Sequence, residues 1–100
     1  MPAILDKEEI GRRIRALAGW ELNPKGEIQR GFKFKDFRES MLFVGAVAHL
    51  SETLDHHPDI LIQWNKVTLS VLTHSAGGLT GKDFELASKI DALPALGTAC

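Results

Sequence analysis

Three of the four histidines, His56, His57 and His74, stand where helix or strand periodicity breaks. An unperturbed imidazole titrates at about 6.5, so histidines brought to one place can act as acid and base near neutral pH. Adjacent side chains of extended chain point to opposite sides, so of His56 and His57 one is expected to act while the other supports it. His74 follows a run in which Thr68 and Ser70 share its side, which turns its ring toward a solvated surface or a cleft. The plainer alternative for each is a surface or core histidine with satisfied hydrogen bonds. Two carboxylates stand within reach in sequence. Glu52 lies one helical turn before His56 and also reads as a solvated face residue, and Asp83 lies three residues after Thr80, where it also reads as a helix-capping side chain.

Other chemistries fit the residues less well. A zinc site lacks its usual spacing: there is no Cys-x-x-Cys and no His-Glu-x-x-His, and His49 reads as a helix-face residue. The stretch Gly77 to Asp83 has Ala76 where a phosphate loop needs its first glycine and Asp83 where it needs Ser or Thr. Arg30-Gly31-Phe32-Lys33-Phe34-Lys35-Asp36-Phe37 approaches an RNA-recognition strand, but Lys33 and Lys35 break the consensus, and Phe32 and Phe34 read as the inward face of an amphipathic strand.

The elements that must position these groups follow from periodicity and caps. Asp6 with Glu9 opens a helix over residues 7–18, stopped by Gly19. Asn23-Pro24-Lys25-Gly26 is turn chemistry, and Ile28, Arg30, Phe32 and Phe34 alternate with Gln29, Gly31 and Lys33, so a hairpin is expected. Asp36 with Glu39 caps a long helix, with Phe37, Met41, Val44, Ala48, Leu50 and Leu54 as its apolar stripe. Pro58 disfavours helical backbone at His57 and ends that helix before the histidine pair. Strands over 60–63 and 67–73 flank Trp64-Asn65-Lys66 as a second hairpin, and Thr80 with Asp83 caps a last helix that stops near Leu93-Pro94, with a frayed tail beyond. The order is α-β-β-α-β-β-α, an α+β fold with a four-stranded antiparallel sheet and three helices on one face, expected as a single domain over residues 1–100.

Composition narrows the class. At 44% apolar and 25% charged, with 12 basic against 13 acidic side chains, the chain is an ordinary globular one without the bulk charge that draws nucleic acid or anionic membrane. The lone Cys100 forms no intrachain disulfide, and no window is long and apolar enough for a signal or spanning helix, so a cytoplasmic setting with no membrane partner is expected.

Taken together, Glu52-x-x-x-His56-His57-Pro58, five residues to Trp64, nine to His74 and eight to Asp83, resemble the signature of the pterin-4a-carbinolamine dehydratase family. Gly19-Trp20, the run Phe32 to Phe37 and the element order resemble the family as well. The resemblance implies elimination of water from 4a-hydroxytetrahydropterin, the carbinolamine left by a pterin-dependent aromatic amino-acid hydroxylase, to give quinonoid dihydropterin without cofactor or metal. By the same resemblance His57 and His74 do the acid-base work and His56 supports the pocket. Pro58 holds the histidine pair, Thr73, Ser75 and Ala76 line the pterin site, and Asp83 and Glu52 stand by. It also implies a homo-oligomer, dimer or tetramer. Trp20 and Trp64 are expected in core or interface roles. The alternative is a non-catalytic partner-binding module of the same fold, akin to a transcriptional dimerisation cofactor; an RNA-binding sheet through Phe32 and Phe34 is a third reading.

Overall fold

The computed structural model describes residues 3–93, so the tail beyond Leu93, Cys100 included, lies outside the described residues. Side-chain caps start each helix. Asp6 accepts from the Glu9 amide ahead of α1 (Lys7–Arg15), and Asp36 accepts from the Glu39 amide ahead of α2 (Phe37–Leu54). Thr80 and Asp83 form a reciprocal capping box at α3 (Gly81–Asp91). Helix α1 ends at Arg15, one turn earlier than periodicity alone predicts, because Leu17 and Trp20 close it with tightened turns through the Ile14 and Leu17 carbonyls.

Strands β1 (Glu21–Leu22), β2 (Ile28–Lys33), β3 (Asp59–Gln63) and β4 (Lys66–Val71) make one sheet in the order β1-β2-β4-β3, every neighbouring pair antiparallel. The two hairpins are thus joined through their longer strands, and α2 spans the crossover between them. Register sets Ile28 opposite Val71 and Phe32 opposite Val67, and it sets Ile60 and Ile62 opposite Leu69 and Val67. With a period of two, these side chains share one face. Ile28, Phe32, Val67, Leu69 and Val71 are buried there against Phe43 and Val47 of α2 and Phe84, Leu86, Ala87 and Ile90 of α3, while Ile10 and Ile14 of α1 close the margin. All three helices cover this face, as expected.

Two expectations need correction. Strand β4 stops at Val71, not Thr73, because Thr73 turns into a short 3₁₀ helix, His74–Ala76, whose amides fold back onto the Thr73 carbonyl. The expected apolar stripe of α2 holds only in part: Val44, Leu50 and Leu54 pack against the core, but Phe37, Met41 and Ala48 are exposed and the buried positions are Ser40, Phe43, Val47 and Ser51. Ser40 and Ser51 can sit inside because their hydroxyls donate to the carbonyls of Asp36 and Val47, one turn back, at 3.2 and 2.7 Å. Phe32 and Phe34 are 5% and 3% exposed, so neither offers a ring for a base to stack on, and the RNA-binding reading loses its aromatic platform. Among the described residues no helix is long and apolar enough to cross a membrane.

The end of α3 is tied to the sheet by one carboxylate. Asp91 accepts from Trp20 Nε1 at 2.9 and 3.1 Å and from Arg30 Nη1 at 2.9 Å, while the Arg30 guanidinium lies 4.7 Å from the Phe32 ring centre. Trp20 therefore takes the expected core role, whereas Trp64 is 66% exposed at the β3–β4 turn. Gly19 permits this packing, since its φ is +91° and a Cβ there would stand 2.8 Å from Arg30 Nε. Arg30 can bend away but the left-handed backbone cannot accept a side chain freely, so Gly19→Ala is expected to cost about 1–2 kcal/mol. Urea unfolding of the two chains measures it, and equal midpoints would refute the account.

Candidate active site

The site is made where regular structure stops. Helix α2 ends on Asp55, a non-glycine residue in the left-handed region (φ 51°, ψ 45°) that Asp tolerates better than most. The His56 amide then closes the helix onto the Ser51 carbonyl at 3.0 Å, and the chain leaves extended through His57 and Pro58 into β3. Extension splays the two rings as expected. The His56 side chain is 12% exposed and points inward, whereas that of His57 is 54% exposed.

Inside, His56 Nε2 stands 2.6 Å from Asp83 Oδ1. Asp83 is fully buried, and its other oxygen accepts from the Thr73 hydroxyl and from the Thr80 amide, each at 2.8 Å. A carboxylate accepts, so the hydrogen on this contact is carried by His56 Nε2, and in the neutral ring Nδ1 is then the acceptor nitrogen. The capping and pocket readings of Asp83 are thus both correct: one oxygen caps α3 and the other holds a histidine. Outside, His57 Nε2 meets Glu52 Oε2 at 2.5 Å between two exposed side chains. A solvent-screened contact of this kind orients a ring loosely and yields readily to another partner.

His74 arrives from the opposite side, on the first residue of the 3₁₀ turn. Gly77, at φ +75°, closes that turn by donating to the Thr73 and His74 carbonyls. A cleft of about 240 Å³ lies between, lined by Asp55, His56, His57, Leu72, Thr73, His74 and Ser75. Five of the residues singled out in sequence, His56, His57, Thr73, His74 and Ser75, therefore meet at one opening. Pro58 and Ala76 do not line it, Asp83 lies beneath it, and Glu52 reaches it only through His57. Asp55 and Leu72 line the cleft without having been singled out; the signal for Asp55 was its place between helix and His-His-Pro, where a left-handed cap favours Asp or Asn. Among the described residues no group of three or more His, Cys, Asp or Glu side chains is arranged to hold a metal ion.

Such a cleft offers two accessible imidazoles and a third whose tautomer is set from below. Comparison with known proteins identifies the family. The family described as pterin 4 alpha carbinolamine dehydratase matches residues 3–93. The chain belongs to this family. A relative from Roseiflexus castenholzii, named "Putative pterin-4-alpha-carbinolamine dehydratase", is 50% identical over 91 residues, 91% of this chain and 97% of that protein. A solved structure described as a transcriptional coactivator/pterin dehydratase from Brucella melitensis superposes with a TM-score of 0.84 at 38% identity, covering 89% of this chain and 96% of that one. A second, described as a pterin dehydratase-like RuBisCO assembly factor of the alpha-carboxysome, shares the pterin dehydratase fold at a TM-score of 0.63 and 24% identity, covering 74% and 87% of the two chains.

Proposed function

We propose that this member of the family is a 4a-hydroxytetrahydrobiopterin dehydratase, a hydro-lyase of tetrahydrobiopterin recycling, acting as one domain in the cytoplasm. The observation that carries the reading is the meeting of His56, His57 and His74 at one cleft, where the start of β3 and the end of β4 lie side by side at the open end of their hairpin. The reaction breaks the C4a–O bond, and a hydroxyl leaves well only when protonated. One histidine delivers a proton to that oxygen, and another takes a proton from a ring nitrogen as the new double bond forms. Water departs and no electrons are exchanged with a second reactant, so the histidines suffice. His57 and His74, the more exposed rings, suit the acid and base roles; His56, held by Asp83, suits orientation of the pocket. Thr73 and Ser75 lie beside His74 on the cleft wall, where backbone groups can read the amino-pyrimidinone edge.

The test is the rate of dehydration of carbinolamine generated in situ by a pterin-dependent hydroxylase. The folded chain is expected to accelerate it; a folded chain that leaves the uncatalysed rate unchanged overturns the reading. In that event the second reading stands, a partner-binding module without turnover, which the coactivator description of the Brucella melitensis structure favours.

A homo-oligomer is part of the same proposal. Its support is the outer face of α2, where Phe37, Met41 and Leu42 are 51%, 42% and 56% exposed, with Gly45 and Ala48 continuing the face. A second copy of this face would cover those side chains. Met41→Glu is expected to lower the sedimenting mass to that of the single chain while shifting its own unfolding by no more than about 0.5 kcal/mol. A wild-type chain that already sediments at 11.0 kDa refutes the oligomer.

A further inference from the structure

Thr73 links the carboxylate that holds His56 to the turn that carries His74. Its side chain is 4% exposed, and its hydroxyl donates to Asp83 Oδ2 at 2.8 Å, beneath His56. Its carbonyl accepts the amides of Ala76 and Gly77 at 3.1 and 3.0 Å, which closes the turn that carries His74. A hydroxyl has a single hydrogen to give, which settles the direction of the remaining contact. Because Thr73 spends its hydrogen on Asp83, the 2.8 Å contact between the two threonine hydroxyls must be donated by Thr80. Thr80 Oγ1 in turn accepts from the Lys82 amide at 3.2 Å. The donors therefore run in one sense, from the first turn of α3 through Thr80 and Thr73 to Asp83, and the carboxylate passes the constraint to His56.

We propose that Thr73 is a positioning residue for the dehydration, setting through Asp83 the ring orientation of His56 while anchoring the turn of His74. Its kinetic consequence rests on the dehydratase reading; its structural content does not. Without the hydroxyl, Asp83 Oδ2 keeps only the Thr80 amide, the carboxylate gains a rotation, and the His56 ring follows it. Catalytic geometry is sensitive to displacements well below an ångström's scale of side-chain swing, so Thr73→Val is expected to lower kcat about tenfold with KM within about twofold. Thr73→Ser, which restores the donor, is expected to recover the wild-type kcat within about twofold.

The experiment joins that kinetic comparison to ¹⁵N–¹H correlation of the imidazoles in the full chain. In the wild type the Nε2 hydrogen of His56, held by Asp83, should give one sharp, slowly exchanging signal; in Thr73→Val that signal should broaden or be lost to exchange, and in Thr73→Ser it should return. A folded Thr73→Val chain with the wild-type His56 pattern and unchanged kcat overturns the proposal, since a merely structural threonine would alter only the melting temperature. If the wild type itself does not turn over carbinolamine, the dehydratase reading fails and the ring pattern alone decides the role of Thr73. If Thr73→Val does not fold, the wild type still decides: a slowly exchanging Thr73 hydroxyl proton held by Asp83 is required, and its absence overturns the proposal.

Discussion

His74→Ala is expected to lower the dehydration rate by about 10²–10⁴-fold, the usual contribution of a positioned acid or base. Folding should be untouched. His74 is exposed at the cleft, and the turn beneath it is made by backbone contacts of Thr73, Ala76 and Gly77 that an alanine leaves in place. Calorimetry and the in-situ carbinolamine assay, run at equal folded concentration, separate the two effects. A mutant that melts with the wild type yet keeps more than a tenth of its rate would remove His74 from the acid-base pair. A mutant that loses both would show that the imidazole holds the turn, contrary to the geometry. The partner-binding alternative predicts a further outcome, with binding of the partner unaltered by the change.

Asp83→Ala is expected to have the largest effect on stability. It strips the acceptor from His56 Nε2 and, in the buried interior, from the Thr73 hydroxyl and the Thr80 amide, and with the last it removes the reciprocal half of the α3 capping box. Breaking a buried network of this kind costs roughly 3–5 kcal/mol, against a total of about twice that for a domain of this size. The melting temperature should fall by about 15 °C or more. Asp83→Asn makes the sharper comparison. Its oxygen can serve the threonine hydroxyl and the amide, but its NH₂ then faces His56 and forces that ring to accept where it had donated. Asn is therefore expected to restore much of the stability and little of the activity, with the His56 hydrogen moved to Nδ1. Recovery of both by Asn would mean that His56 tolerates either tautomer, and an Ala variant melting within about 2 °C of the wild type would refute the buried network.

Much of this could be seen before any coordinates. Asp6, Asp36, Thr80 and Asp83 announced three helix starts, and Asn23-Pro24-Lys25-Gly26 and Trp64-Asn65-Lys66 announced two hairpins, because caps and turns are encoded within a few neighbouring residues. The spacing of Glu52, His56, His57, Trp64, His74 and Asp83 carried the family. What stayed hidden depended on tertiary contacts. The inward stripe of α2 runs through Ser40 and Ser51 because their hydroxyls are satisfied one turn back, while Phe37 and Met41 face out, an arrangement that apolar periodicity cannot see. Leu72 entered the cleft wall, and Thr73 left the strand, only once the turn of residues 74–76 and the buried Asp83 were in place.

The strand order β1-β2-β4-β3 also governs how the chain can reach its functional form. Each hairpin pairs neighbours and can form locally, but the seam between β2 and β4 joins Lys33 with Lys66 and Ile28 with Val71, so closing it means first ordering all of α2 and β3. Such non-local closure is the slow part of assembling a small α+β chain. His56, His74 and Asp83 come from segments on both sides of that closure and from the helix added after it. Without the β2–β4 seam the segments that carry His56, His74 and Asp83 have no common frame, so the cleft exists only in the closed sheet and any partial opening of that seam dismantles it.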